Sequence, residues 1–298
     1  MNIVVSGASG LVGSALVPEL EAAGHNVRRL VRRAQNSDSE IAWSLDRLDP
    51  HALGGTDAVI HLAGRNVGTL WTPQAKRDIL DSRVRGTHTI ATAVAESFRR
   101  TGKPDVLLSV SAIGCYGNRG DQELTESSLP GTGFLAEVAM AWESAASPAA
   151  QAGVRVVIPR IGVVLSSRGG ALKRLLLPFQ LGLGGPVGDG RQWMSWIVLE
   201  DLVHLFIAAL ADSRMKGPIN AVAPQPVTNR EFVNALARAL HRPAIFPLPA
   251  FIVKTVFGEM GREMLLASQR VVPEKLQQLG FKFRHPEIGE AMQFAARN

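Results

Sequence analysis

Short apolar runs recur along the first half of the chain, each bounded by glycine or polar residues. Ile3, Val4 and Val5 form a run too short for a helix and suited to a buried strand. Similar runs at 26–31, 41–43, 57–64, 105–111 and 154–158 predict further strands. Between them, stretches 11–23, 73–100 and 133–152 carry apolar residues at helical spacing. Thr72 followed by Pro73 marks a helix start, a capping hydroxyl and then proline at the first helical position. Gly86 falls in mid-helix, where it costs about 1 kcal/mol relative to alanine, which predicts close packing against the sheet. Pro18 falls inside the first helix at a cost of roughly 3 kcal/mol or a kink, and nothing in the sequence offsets it. Alternating strands and helices predict a mostly parallel sheet covered on both faces.

After about residue 165 the pattern changes. A helical stretch with glycine ends covers 169–185, a turn covers 188–192, and a short apolar strand covers 193–198. An amphipathic helix at 200–211 follows. Thr228 and Glu231 form a capping-box signature that opens a helix to Leu240. Prolines 243, 247, 249, 273 and 286 punctuate the rest. The chain is long enough for one large unit or for two. The pattern favours an α/β fold, a doubly wound, mostly parallel, Rossmann-like sheet with a smaller α-rich cap. On that reading 1–165 forms the nucleotide-binding domain, 166–298 forms the cap or substrate domain, and part of 190–225 returns to the first.

The first strand runs straight into Gly7-Ala8-Ser9-Gly10-Leu11-Val12-Gly13, and a helix follows. In this context an early glycine allows a tight bend, the next lets backbone N–H groups approach a pyrophosphate, and the last lets the helix pack close. The helix N-terminus then holds the phosphates. The spacing is GxxGxxG rather than GxGxxG. About 20 residues further on, an acid would bind a ribose 2′-hydroxyl; here stand Arg32 and Arg33. Guanidinium groups pair with a 2′-phosphate, so NADP(H) is expected over NAD(H), with Arg32 the better placed. Leu62-Ala63-Gly64 ends a buried strand with small residues, where a cofactor can lie flat. His61 reads as a packed strand residue.

Composition narrows the partners. The net charge is +6, but Lys and Arg are scattered, with clusters only at 28–33 and 99–103, which argues against nucleic acid. No apolar run is long enough to span a membrane, and the N-terminal run reads as a strand rather than a signal peptide. Cys115 is the single cysteine, which excludes an internal disulfide and a cysteine-rich metal site. A cytoplasmic protein with a small-molecule substrate, and neither nucleic acid nor membrane as partner, is the expectation.

The order of features resembles the extended short-chain dehydrogenase/reductase family, the NAD-dependent epimerase/dehydratase fold. The matching residues are 7–13, 57–64, Gly86-Thr87, 109–117, 159–162 and 188–192. Trp71-Thr72-Pro73, Ser82-Arg83-Val84, Phe134-Leu135-Ala136-Glu137 with Trp142-Glu143, and the segment 265–273 are similar to its atypical YfcH-like branch, which carries a C-terminal domain of unassigned function. The resemblance covers essentially the whole chain. It implies NADP(H) across the C-terminal edge of the sheet, held by Gly7, Ser9, Gly10, Leu11, Val12, Gly13, Arg32, Arg33, Leu62, Ala63 and Gly64, with Arg83, Ser109 and Arg160. It implies that Ser111 helps bind a reacting oxygen. It also implies a tyrosine base with a lysine four residues later, and here the sequence departs. Aligned on Trp142-Glu143, those positions fall near Phe134 or Leu135 and near Val138 or Ala139, none of which transfers a proton. The single tyrosine, Tyr116, lies five residues past Ser111 and is one substitute, with Arg160 able to lower its pKa. Glu137 is another, on the helix that normally carries the base. The implied function is an NADP(H)-dependent oxidoreductase or epimerase-like enzyme acting on a small carbonyl or hydroxyl substrate. The alternative is a non-catalytic NADP(H)-binding regulatory protein. Family members often pair through two long helices, which here predicts a homodimer through 73–100 and 133–152.

Overall fold

A computed structural model describes residues 1–33 and 37–297. Its centre is a parallel sheet built from β1 (Asn2–Ser6), β2 (Asn26–Val31), β3 (Glu40–Ala42), β4 (Ala58–His61), β5 (Val106–Ser109), β6 (Arg155–Ile161) and β7 (Gly217–Ala221). The order is β7-β6-β5-β4-β1-β2-β3, and Ser111–Ala112 adds a short pairing to β6. Every adjacent pair is parallel. The chain leaves β1 toward β2 on one side and later returns to β4 on the other. That reversal opens a crevice at the C-terminal end of β1.

Side chains alternate across the sheet because successive Cβ atoms point to opposite faces. Ile3 and Val5 pack on one face with Leu16 and Leu20 of α1 (Leu11–Ala22). Val4 packs on the other with Ile90 and Val94 of α2 (Pro73–Thr101). Thr72 caps α2, its hydroxyl accepting from the Ala75 N–H at 3.1 Å, with Pro73 first in the helix. Helix α3 (Phe134–Ser144) packs beside α2, and α4 (Leu199–Ala211) covers the same face as α1.

Several expectations shift. The single helix over 133–152 is two, α3 and a short helix Ser147–Gln151. Pro148 has no N–H for the Ser144 carbonyl, so the first helix ends there. Gly86 admits not the sheet but the segment beyond its edge strand: a Cβ there would lie 3.2 Å from Leu45 and 3.6 Å from Trp43. Helix α1 runs through Pro18; Pro18 and Ser14, whose carbonyl loses its partner, are both exposed, so water satisfies that carbonyl. The run 193–198 divides at Ser195. Trp193–Met194 pairs with Val227–Thr228, and Trp196–Val198 pairs with Val163–Leu165.

The C-terminal region has its own apolar cluster, where Phe232 and Leu236 of helix Asn229–Leu240 meet Met292 of helix Ile288–Arg297. The capping box forms as expected, with the Glu231 carboxylate accepting from the Thr228 N–H at 2.7 Å. This region is bonded to the sheet domain at the start of α3. Glu263 accepts from the N–H groups of Phe134 at 2.9 Å and Leu135 at 2.8 Å. Beside it, Lys76 pairs with Glu259 and sits over the Phe134 ring, which Trp71 meets edge-on.

Candidate functional site

The glycine turn is built as its spacing requires. Gly7 has φ +71°, and a Cβ on it would come within 2.8 Å of the Ala63 nitrogen. A Cβ on Gly13 would lie 2.3 Å from the Gly7 carbonyl oxygen. The Gly10 N–H closes the turn on that oxygen at 3.0 Å, and α1 starts at once. Only glycine permits this contact between the turn, the helix start and the end of β4.

In front of the turn lies a crevice of about 1360 Å³. Gly7, Ser9 and Gly10 line it with Arg32 from the end of β2 and Leu62, Ala63 and Gly64 from the end of β4. Leu11, Val12 and Gly13 form the helix start behind it. Arg32 and Arg33 are both exposed; Arg32 lines the crevice, and Arg33 is not among its lining residues. Two further walls were not legible in the sequence. Trp43, Ser44, Leu45 and Asp46, just beyond β3, form one, and Arg65, Ser82 and Arg85 form the other. Arg85 is bonded to Asp46 across it.

Arg83 stands at the inner end. Its guanidinium would lie 3.4 Å from a Cβ on Gly64, stacks over Trp142 at 4.8 Å, and donates to the backbone carbonyls of Arg65 and Ile79. No carboxylate pairs with it among the described residues. Burial lowers its pKa to about 10. His61 is fully buried on β4. Ser6 Oγ accepts from the Leu62 N–H at 3.2 Å and shares a hydrogen bond of 2.6 Å with His61 Nδ1. Burial, with Arg83 adding to it, lowers the imidazole pKa to about 3, so the ring is neutral and packed.

The second half of the site is a buried polar chain. Ser111 donates to Glu143 Oε1 at 2.7 Å. Arg160 grips Glu143 with Nε and Nη2, each at 2.8 Å, and its Nη1 donates to the Tyr116 hydroxyl at 2.9 Å. Tyr116 donates to Asn220 Oδ1 at 2.7 Å. Asn220 donates to the Val272 carbonyl, and its backbone N–H donates to Glu126. The links come from β6, β7, α3 and the loop after β5. Ser109 is buried at the end of β5, in register with His61.

Two candidate roles find no support in this arrangement. Tyr116 is completely buried. Burial raises its pKa above the ordinary phenol value, and the Arg160 contact expected to lower it does not compensate. Glu137 is exposed on α3 and takes no part in the chain. The carboxylate that faces Ser111 is Glu143, six residues on and therefore on another side of the helix. Burial disfavours the Arg160 charge, yet the hydrogen bonds from Glu143 raise its pKa overall. The structure extends β6 through Arg160, and a buried strand arginine needs an acid beside it, but nothing in the sequence singled out Glu143 as that acid. Asn220 is a buried strand residue. Arg191 is an exposed turn arginine.

The described residues contain no group of three or more His, Cys, Asp or Glu side chains able to hold a metal, and no helix long and apolar enough to cross a membrane.

Comparison with known proteins adds to this geometry. Residues 3–222 match the model of the NAD dependent epimerase/dehydratase family, and residues 248–295 match a domain of unknown function, DUF1731. An epimerase family protein of Mycobacterium bovis is 44% identical over 296 residues, covering 98% of this chain and 97% of that protein. The crystal structure of human epimerase family protein SDR39U1 (isoform 2) with NADPH superposes with a TM-score of 0.89 at 33% identity, covering all of both chains. A nucleoside-diphosphate sugar epimerase from Corynebacterium glutamicum gives a TM-score of 0.82 at 37% identity, over 99% of this chain and 58% of that one.

Proposed function

This chain belongs to the NAD-dependent epimerase/dehydratase family, and from that premise we propose that it binds NADP(H) in the crevice before the glycine turn and uses it on a small carbonyl or hydroxyl substrate. The observation that carries the reading is Arg32. It ends β2 on the crevice wall, is exposed, and has no ion-pair partner among the described residues, where an NAD(H) site would carry an acid. The human relative crystallised with NADPH supports the same choice. The residues fit the group. Gly7 and Gly13 let the turn, the start of α1 and the end of β4 meet with no side chain between them, and the first N–H groups of α1 are free to hold a pyrophosphate. Arg32 faces a 2′-phosphate, Gly64 lets the flat part of the cofactor approach the backbone, and Arg83 supplies a cation at the inner end.

When bound, the cofactor supplies or accepts a hydride at its nicotinamide ring. The chain's own part falls to Ser111. Ser111 is itself buried and is not among the crevice-lining residues; its proton is committed to Glu143, so a substrate hydroxyl that reaches it would donate to its free lone pair. A substrate hydroxyl that gives up its proton would give it to Ser111, which would pass its own to Glu143, the carboxylate that Arg160 holds in place. In the reverse direction the same path returns a proton to a carbonyl oxygen.

The second reading is an NADP(H)-binding sensor without turnover. One observation favours it: Tyr116, the single tyrosine, is locked between Arg160 and Asn220 and is fully buried.

The test is a fluorescence titration of NADPH beside NADH, on wild type and Arg32→Ala. Tight NADPH binding that weakens at least about tenfold in the variant, with NADH little changed, supports the cofactor reading. Equal binding of the two nucleotides by both proteins overturns it. A Ser111→Ala protein that binds NADPH normally then separates the two functions: if a carbonyl screen finds turnover in wild type, the variant loses it.

A further inference from the structure

Two segments of the C-terminal half lie side by side and share an unusual composition. The first is helix Gly170–Gln180 with the turn that follows, and the second runs from His241 through helix Ala250–Val256. The Phe246 N–H donates to the Gly184 carbonyl at 3.1 Å, the Leu248 N–H to the Pro186 carbonyl at 2.8 Å, and Arg242 to the Gln180 carbonyl at 3.0 Å. Large apolar side chains stand in water along this pair. Leu177, Leu181 and Leu183 are 63%, 65% and 59% exposed, and Ile245, Phe246 and Phe251 are 70%, 54% and 69% exposed. A contiguous apolar patch of this kind marks an interaction surface rather than the scatter of single exposed residues.

Within the two segments the charges are all of one sign, with Asp189, Glu231 and Glu259 just outside them. Residues 161–188 and 232–258 contain no Asp or Glu, yet they supply Lys173, Arg174, Arg238, Arg242 and Lys254, all exposed. A shallow groove of about 630 Å³ borders the patch at Ile245, and Arg238, His241 and Arg242 line it. An apolar surface edged by cations, with a cationic recess of headgroup size at its margin, matches one kind of surface: a bilayer with anionic lipid. Apolar side chains enter the acyl boundary while Lys and Arg remain at the phosphates.

We propose that the face formed by Leu177, Leu181, Leu183, Ile245 and Phe246 docks peripherally on anionic membranes, with Arg238 and Arg242 receiving a lipid phosphate. This is a surface contact and needs no membrane-spanning helix. The other end of the same helix reaches the glycine turn: Gly169 and Gly170 lie against Leu11, and Arg174 donates to the Gly68 carbonyl beyond β4.

The experiment is co-sedimentation of the full chain, without added nucleotide, with phosphatidylcholine vesicles and with vesicles that also contain phosphatidylglycerol. Binding to the anionic vesicles, reduced by salt and nearly absent on the neutral ones, is expected. Two variants separate the parts. Leu181→Glu with Phe246→Glu removes the apolar face, and Lys173→Gln with Arg238→Gln removes two cations. Each is expected to weaken partition at least about tenfold while leaving circular dichroism and NADPH titration as in wild type. Equal binding to both vesicle types, or none to either, overturns the proposal. So does sedimentation as a dimer that the Leu181→Glu, Phe246→Glu protein abolishes without any vesicle binding by wild type, since the face is then an interface between copies. The assay needs no cofactor, so its failure is distinct from failure of the NADP(H) reading.

Discussion

Arg160 on β6 holds Glu143 on α3 through two parallel hydrogen bonds of 2.8 Å, with both side chains under 10% exposed. Removing one partner leaves a charge buried without compensation. Glu143→Ala is therefore expected to lose about 3–5 kcal/mol of stability in urea unfolding. The double variant Glu143→Leu, Arg160→Met should recover most of that loss, because no charge remains to be desolvated. NADPH affinity, which the proposed reading assigns to the Arg32 end, should change little in the double variant.

Tyr116 tests the difference between a buried structural hydroxyl and a proton-transfer group. Tyr116→Phe leaves Asn220 Oδ1 and Arg160 Nη1 without a partner, for an expected cost of about 1–3 kcal/mol. Because burial raises the phenol pKa, whatever turnover wild type shows should keep its pH profile in the variant. A shift of the alkaline limb would return Tyr116 to the chemistry.

His61 predicts the acid side of the stability curve. Folded, it stays neutral down to about pH 3, whereas in the unfolded chain it titrates near 6.5. The unfolded state thus binds the extra proton between those values. The contribution is fully present above pH 6.5 and is lost as pH falls toward 3, at up to about 1.4 kcal/mol per pH unit. Denaturant midpoints measured from pH 7 to pH 4 should fall for wild type and fall less steeply for His61→Asn.

Gly13→Ala tests the turn. The new methyl would meet the Gly7 carbonyl oxygen at 2.3 Å, so either the helix start or the turn must move. A stability loss of about 1–3 kcal/mol is expected, with NADPH binding lost or weakened at least about tenfold. Gly24→Ala is a control that disturbs only the backbone: its φ is +81°, with open space around it.

Local chemistry decided much of this protein in advance. The run Ile3–Val5 and the glycines behind it specify strand and turn through contacts within a few residues, and the cation at position 32, within the same βαβ unit, carries the proposed nucleotide preference. Thr72-Pro73 and Thr228 with Glu231 specify helix starts because a cap is satisfied within one turn. The same locality explains the errors. Pro148 divides a helix that alanine content alone would continue, and Gly86 meets Trp43 and Leu45, a neighbour remote in sequence.

What only the tertiary structure decided is which polar groups meet. Ser111, Glu143, Arg160, Tyr116 and Asn220 come from separate elements, and no local rule pairs them. Helical spacing puts Glu137 and Glu143 on different sides of one helix, and only packing showed that one faces water and the other a buried arginine. Burial then set the chemistry: it turned the single tyrosine from a candidate base into a fixed strut and kept His61 neutral. A charge or a hydroxyl is named by the sequence, but its pKa and its partner depend on how much water the fold removes around it.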